Sequence, residues 1–371
     1  MNQKSKLKQT EIGKIPEDWE VKKIGDICNV KNGKTNSQDA AETEKFPLFD
    51  RSSQIILSEK YLFDSEAVII PGEGKEFIPR YFNGKFDLHQ RAYAITPKDK
   101  KILLKFVSYW VSDHKDYLAR IAVGSTVKSL RLNHLTKFPI GLPPLSEQTA
   151  IAKILSDLDA KIELNNQMNK NLETIGQALF KRWFVDEKKN DWKEGKLGEI
   201  IENFDSKRVP LSSIERSKRK GKVPYYGATG IFDYIDDFLF DGEYILMGED
   251  GSVVNENGTP VLQFVRGKFW ANNHAHVLKA KDPFYNEFLY LLLASANVSS
   301  IVTGAVQPKI NQLSMNNFSI ILPGKKDLEY LKNQLKNIFE GIYKNNIQSN
   351  KLAQIRDSLL PKLMCGEVRL K

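Results

Sequence analysis

Positive charge concentrates at one place in this chain: Arg216-Ser217-Lys218-Arg219-Lys220-Gly221-Lys222 puts five basic residues in seven, with Lys207 and Arg208 just upstream. Side chains of this kind at this density suit phosphate oxygens, although a solvated loop carries the same pattern. The chain as a whole leans the same way. Its 55 Lys+Arg outnumber 46 Asp+Glu, for a net charge of +9 and a pI near 9.1. Such a balance points to a polyanionic partner, nucleic acid or a membrane surface. Planar and polar side chains suited to base edges stand near the turns. In the first half these are Arg51, Arg80, Gln90 and Arg91. In the second half they are Tyr225, Tyr226, Arg266, Asn272, Asn273, His274, Gln307 and Lys309. Arginine offers guanine two parallel donors, and Asn or Gln offers adenine a donor and an acceptor.

Signals for catalysis are weak by comparison. Gly72-Glu73-Gly74-Lys75-Glu76 lacks the earlier glycine of a phosphate loop and has glutamate where magnesium needs Ser or Thr, so it reads as a turn. Asp282-Pro283-Phe284-Tyr285 resembles the Asp-Pro-Pro-Tyr tetrapeptide of amino-methyltransferases. It lacks the second proline and a preceding glycine-rich loop, and reads better as a helix cap with proline in the first turn. His274 and His276 alternate along an expected strand and so face opposite ways. No spaced Cys/His set suggests zinc, and no nucleophile elbow or kinase signature is present. The reading is a non-catalytic chain with no metal site.

With 371 residues, 41% apolar and 10% aromatic, the chain can build two ordinary domains with real cores. Cys28 and Cys365 are too few for a disulfide scaffold and fit a reducing cytoplasm. The opening Met1-Asn2-Gln3-Lys4-Ser5-Lys6 has no apolar stretch and does not read as a signal peptide. The most apolar segment, Phe288 to Val302, is interrupted by Ser295 and Asn297. A spanning helix needs about 20 mostly apolar residues, so no membrane partner is expected.

The elements that position these residues come in two copies. Shifted by 180 residues, Gly124 to Leu179 aligns without a gap on Gly304 to Leu359, with twelve identities. Phe138-x-Ile140-x-Leu142-Pro143 matches Phe318-x-Ile320-x-Leu322-Pro323, and Asn165-Asn166 matches Asn345-Asn346. Upstream, Asp18-Trp19 resembles Asp191-Trp192, and Leu62-Phe63-Asp64 resembles Leu239-Phe240-Asp241. Chance similarity between two amphipathic helices would not extend to the strand exit and the tryptophan. Each copy opens with short β-prone runs between glycine turns, then one helix, near Lys101 to Ala119 and near Tyr285 to Ala296.

Each copy closes with a long helix. From Ser146 to Phe184 there is no proline, and Ile151, Leu155, Leu158, Ile162, Met168, Leu172, Ile175 and Leu179 recur at helical spacing. The matching run, Asp327 to Leu360, carries Leu335, Ile338, Ile342, Leu352, Ile355 and Leu359, and should stop at Pro361. A 39-residue helix is about 58 Å long, so the two stripes are expected to cover each other as an antiparallel coiled coil. Asn165 and Asn345 fall at or just off its seam; if buried, they fix the register. The fold class is α+β, two homologous mixed α/β modules and two long helices with internal pseudo-two-fold symmetry.

Leu142-Pro143-Pro144-Leu145-Ser146-Glu147-Gln148-Thr149-Ala150-Ile151 resembles the start of the conserved helix of type I restriction-modification specificity subunits. The opening Ile12-Gly13-Lys14-Ile15-Pro16-Glu17-Asp18-Trp19-Glu20 is also similar to that family. So are Ala178-Leu179-Phe180-Lys181-Arg182-Trp183-Phe184-Val185-Asp186 and Leu359-Leu360-Pro361-Lys362-Leu363-Met364-Cys365-Gly366-Glu367. The second copy departs from the pattern, with Gly324 after Leu322-Pro323 and Asp327-Leu328 in place of Glu147-Gln148. The resemblance implies target-recognition domains at 1–145 and 191–324, each reading half of a split double-stranded DNA site. Residues 146–190 and 325–371 become spacer helices and a docking surface. Half-sites about 10 base pairs apart would fall on one face of the duplex. The family's partners are two modification subunits and restriction/translocase subunits. The resemblance thus implies no cofactor on this chain, and S-adenosylmethionine, ATP and magnesium on the partners. The other function class open to the residues alone is a coiled-coil scaffold that binds no DNA.

Overall fold

The structure is a computed structural model that describes residues 6–36, 45–52, 54–304 and 306–370. The opening stretch read above as no signal peptide lies, apart from Lys6, outside the described residues. The chain divides into two compact units, residues 1–163 with 349–371, and residues 164–348.

The first unit is built on a six-stranded sheet. Its strands are β1 (Cys28–Asn32), β2 (Phe46–Phe49), β3 (Ile56–Ser58), β4 (Phe63–Pro71), β5 (Arg80–Leu88) and β6 (Ala92–Pro97), in the order β1-β6-β4-β5-β2-β3. Neighbours run antiparallel except β2 and β5, which are parallel. The second unit repeats this with β7 (Ile201–Asn203), β8 (Lys220–Gly227), β9 (Gly230–Ile235), β10 (Phe240–Gly248), β11 (Leu262–Ala271) and β12 (Ala275–Ala280). The order is β7-β12-β10-β11-β8-β9, again with one parallel pair, β8 and β11, among the described strands. A non-sequential order reproduced strand for strand is the duplication seen in three dimensions.

The central strands show why both faces must be covered. β4 ends in the unbroken run Ala67-Val68-Ile69-Ile70, and successive side chains on a strand point to opposite faces. Val68 and Ile70 join a large core with helix Leu104–Asp113, while Ala67 and Ile69 join a second core with Phe49, Phe86 and Leu88. In β10, Ile245 and Met247 face helix Asn286–Ser295, and Leu246 faces Phe240 and Phe269. The stacked rings Phe63 and Phe86, 4.9 Å apart, reappear as Phe240 and Phe269 at 5.0 Å.

Both expected short helices form. The first breaks at His114 into Leu104–Asp113 and Lys115–Ile121; the second spans Asn286–Ser295. Asp282-Pro283 does not cap that helix as expected. The peptide between them is cis, and the helix begins three residues later, after an extended Tyr285.

The long helices are α1 (Leu145–Lys181), continued by a π turn at Arg182–Asp186, and α2 (Lys325–Met364). Pro361, expected to stop α2, lies inside its last turn. One backbone hydrogen bond is forfeited there, and the burial of Leu363 and Met364 in the first unit's core offsets it.

Each unit holds one antiparallel pair of segments from these helices. In the first unit Arg356 donates to Asp159 at 2.7 Å. In the second, Asn165 donates to Gln348 at 2.9 Å, Asn345 donates to Asn169 at 2.9 Å, and Asn169 donates to Asn346 at 2.8 Å. Farther along, Leu172 lies against Gly341 and Ile338 against Gly176.

The buried and half-buried positions of α1 include Ile151, Leu155, Leu158, Ile162, Asn165, Asn169, Leu172, Gly176 and Leu179. In α2 they include Leu328, Leu331, Leu335, Ile338, Ile342, Asn345, Ser349, Leu352, Arg356, Leu359 and Leu363. Steps of three and four alternate throughout, the 3.5-residue repeat of a coiled-coil seam. Met168, Ile175 and Ile355, expected on the stripe, are exposed; Asn169, Gly176 and Arg356 take their places. Helical phase outranks side-chain polarity here. Asn165 is fully buried, so the seam carries a polar layer.

Candidate nucleic-acid interface

The candidate side chains of the first unit cluster at loops leaving the sheet. Arg91, in the turn between β5 and β6, donates Nη1 to both oxygens of Glu73 at 3.0 and 2.9 Å. Arg51, just beyond β2, reaches Glu73 at 3.4 Å. Both guanidiniums stay more than half exposed, while Glu73 is largely covered. Glu73 belongs to the short strand Glu73–Gly74, which pairs with Lys128–Ser129, so the expected turn is a small ladder. Gln90 is exposed and donates to Asn36 at 2.6 Å. Arg80 differs from the expectation: its guanidinium lies over the Phe49 ring and donates to the Asp50 carbonyl at 2.7 Å. Burial lowers its pKa, and its role is to brace the loop that carries Arg51.

Three loops of the second unit meet around Asp250. Gln307 donates to one carboxylate oxygen at 2.6 Å, and His274 lies 3.7 Å from the other. Lys309 approaches Glu249 at 3.5 Å. Asn273, His274, Gln307 and Lys309 are exposed. Beside them opens a cleft of about 630 Å³ between the turn Gly227–Gly230, Arg216, Phe232, Asp250 and the Asn272-Asn273-His274 turn. Tyr226 is half-buried, its ring edge-on to Phe269.

Several expected DNA contacts are internal instead. Tyr225 is 1% exposed, and its hydroxyl accepts the Leu211 amide. Arg266 pairs with Glu243 and Glu340 at 2.6 Å each and lies over Tyr343, tying the sheet to α2. Asn272 is buried and accepts the His274 amide, holding the turn. Arg208 donates to Glu249 and to the Ala275 carbonyl, and faces Asp205 at 3.4 Å. The two arginines already have their counter-charges inside the unit, and Tyr225 and Asn272 are buried, so these groups are poorly placed for phosphate.

The basic run is mostly neutralised locally. Arg216 and Lys220 pair with Asp233, and Arg219 with Asp236 and Asp237. Arg216 also covers the Tyr225 and Phe232 rings. Lys218, Lys222 and Lys207 remain exposed, Lys207 lying over Phe204. Three aspartates, Asp233 in β9 and Asp236 and Asp237 just after it, lie outside a count confined to residues 216–222 and account for the difference.

Asp205, Glu249 and His276 bring ligand-type atoms within 4.8 Å of one another. His276 is fully buried, with Nδ1 2.6 Å from Asp205 and Nε2 2.8 Å from the Ile310 carbonyl. Burial alone would raise the Asp205 pKa, but His276, Gln312 and the Val277 amide outweigh it and hold the carboxyl at about 2. Arg208 supplies positive charge within the group, which therefore reads as a loop brace under the Asp250 cluster.

The two acids at the helix starts, noted in the sequence only as motif positions, have partners that sequence reasoning missed. Glu147, 4% exposed, accepts the Trp19 indole at 3.0 Å and two bonds from Arg369 at 2.5 and 2.7 Å; Arg369 also grips Asp18. Asp327, its counterpart 180 residues on, accepts the Trp192 indole at 3.0 Å and pairs with Lys189. The indole-to-acid bond survives the departure from the motif. The next position diverges: Gln148 bonds Leu103, Lys101 and Pro143, whereas Leu328 is buried as an apolar residue. The recurring Asp-Trp pair was the available signal.

Among the described residues, no helix is long and apolar enough to cross a membrane. The family model described as "Type I restriction modification DNA specificity domain" matches residues 16–174 and again 189–354. The MjaIX type I restriction enzyme specificity subunit of Methanocaldococcus jannaschii is 28% identical, over 99% of this chain and 97% of its own. The EcoDI specificity subunit of Escherichia coli is 25% identical, over 96% and 90%. In fold, the chain is similar to the crystal structure of a type I restriction-modification S subunit from M. genitalium. The TM-score is 0.59 at 18% identity, covering 98% of this chain and 99% of that one. With both copies matched along most of their length, the chain belongs to the type I restriction-modification DNA specificity family, as a specificity subunit.

Proposed function

We propose that each unit reads one half of a split double-stranded DNA site, through loops within residues 1–145 and 191–324. In this reading α1 and α2, with the flanking segments of 146–190 and 325–371, set the spacing and form the surface on which two modification subunits dock. Restriction/translocase subunits complete the assembly. The chain itself is non-catalytic. S-adenosylmethionine for adenine methylation, and ATP and magnesium for translocation and cleavage, belong to the partners.

One observation carries the reading: a single sheet order is built twice with different side chains at the same loop positions. Arginines surround Glu73 in one unit, and His274 and Gln307 surround Asp250 in the other. A common scaffold with diverged tips suits two short, unequal sequences, and base contacts rather than phosphate contacts carry that difference. Family membership leaves nothing to favour a scaffold that binds no DNA.

Exchanging residues 191–324 for the corresponding segment of a relative tests it. Sequencing methylated bases in the host should show one half of the motif replaced and the other retained. Replacement of both halves, or of neither, refutes the modular reading.

A further inference from the structure

Glu73 and Asp250 occupy the same backbone position in their units. Pro71 pairs with Ala92 as Gly248 pairs with Ala275, which places Arg91 and His274 in register. The Gly72 amide donates to the Arg91 carbonyl at 2.8 Å, as the Glu249 amide donates to that of His274 at 2.8 Å. Glu73 then bridges to Ser129, and Asp250 to Lys309, two positions separated by the 180-residue repeat. Both carboxylates are mostly covered; Glu73 binds Arg91 and Arg51, Asp250 binds Gln307 with His274 3.7 Å away, and each of these side chains is more exposed than its acid.

We infer that Glu73 and Asp250 are one positioning device in two copies, each holding the side chains that read bases: Arg91 and Arg51 in the first unit, His274 and Gln307 in the second. The inference rests on the split-site reading above and adds which groups discriminate. Arg91 uses only Nη1 on Glu73. Its Nη2 and Nε hydrogens remain for a two-point contact, and guanine O6 and N7 are the acceptor pair that fits them. The half-site read by the first unit therefore contains a guanine opposite Arg91. Acid-held arginine loses less freedom on binding than a free one, because its long side chain is already ordered. Glu73 is a positioning residue, since it acts through arginine.

The test places Glu73→Gln, Arg91→Lys and Asp250→Asn in the host chromosome and sequences methylated bases. Glu73→Gln should relax one guanine position in one half of the motif, discrimination there falling by about 5- to 150-fold. Arg91→Lys keeps the charge but loses the fork, and should relax the same position. Asp250→Asn should relax a position in the other half only. Unchanged base preference in both first-unit variants overturns the inference. So does a uniform loss of methylation with the motif intact, which marks a phosphate contact or fold support. If Glu73→Gln fails to accumulate, Arg91→Lys decides. A wild-type strain with no split motif would sink the split-site reading, whereas a split motif unmoved by these variants sinks this inference alone.

Discussion

The start of α1 offers a matched test of how burial scales an ion pair. Glu147 is 4% exposed and Arg369 26%, and a Glu147→Gln change removes the negative charge that two guanidinium hydrogen bonds address. Breaking a fully buried pair costs about 3–5 kcal/mol. Arg369 keeps Asp18 and some solvent, so about half of that, about 2 kcal/mol, is expected. In a unit of this size about 2 kcal/mol lowers Tm by about 4–8 °C. Asp327→Asn is the internal control. Its partner Lys189 is 51% exposed, and asparagine can still accept from Trp192, so the cost should be below about 1 kcal/mol. Calorimetry of the full chain reads both. A larger loss in Asp327→Asn than in Glu147→Gln, or no measurable shift in the latter, refutes the ranking by burial.

Three further outcomes follow from the same geometry. A Cβ at position 176 would sit 3.7 Å from Ile338, an ordinary contact, so Gly176→Ala should stabilise by about 1 kcal/mol; Gly341→Ala meets Leu172 at 3.2 Å and should gain less, as urea midpoints will show. Because the Asp205 carboxyl is held at about 2, below its usual 3.8, its contribution is complete above pH 3.8 and is lost as pH falls toward 2. That contribution is about 2 kcal/mol, and acid titration of wild type against Asp205→Asn should show the variant flatter in this window. Lys218→Ala and Lys222→Ala should each reduce the salt slope of DNA binding by up to about 0.9, whereas Arg219→Ala should lower Tm with the slope unchanged.

The duplication, the long helices and the family were legible because they are written in periodicity and local motifs. The seam was legible only in outline. Choosing apolar residues selected Met168, Ile175 and Ile355, whereas continuing the alternation from Ile151 reaches Asn169 and Gly176. The candidate interface was less legible still, because an arginine's role depends on which acid the fold brings to it. Nothing near Arg266 in sequence announces Glu340, and nothing near Arg91 announces Glu73. Composition registers charge without pairing, so Arg208 and Lys218 look alike until the sheet is assembled.

The division of the chain also bears on its synthesis. The second unit is one continuous stretch, residues 164–348, and can close as soon as that stretch has left the ribosome. The first unit cannot: its core includes Leu363 and Met364, and Glu147 waits for Arg369. The half made first therefore finishes last, leaving an apolar seat open until residues 363–369 have been made. Stop codons or frameshifts between codons 350 and 363 should spare the later-made half and condemn the earlier one.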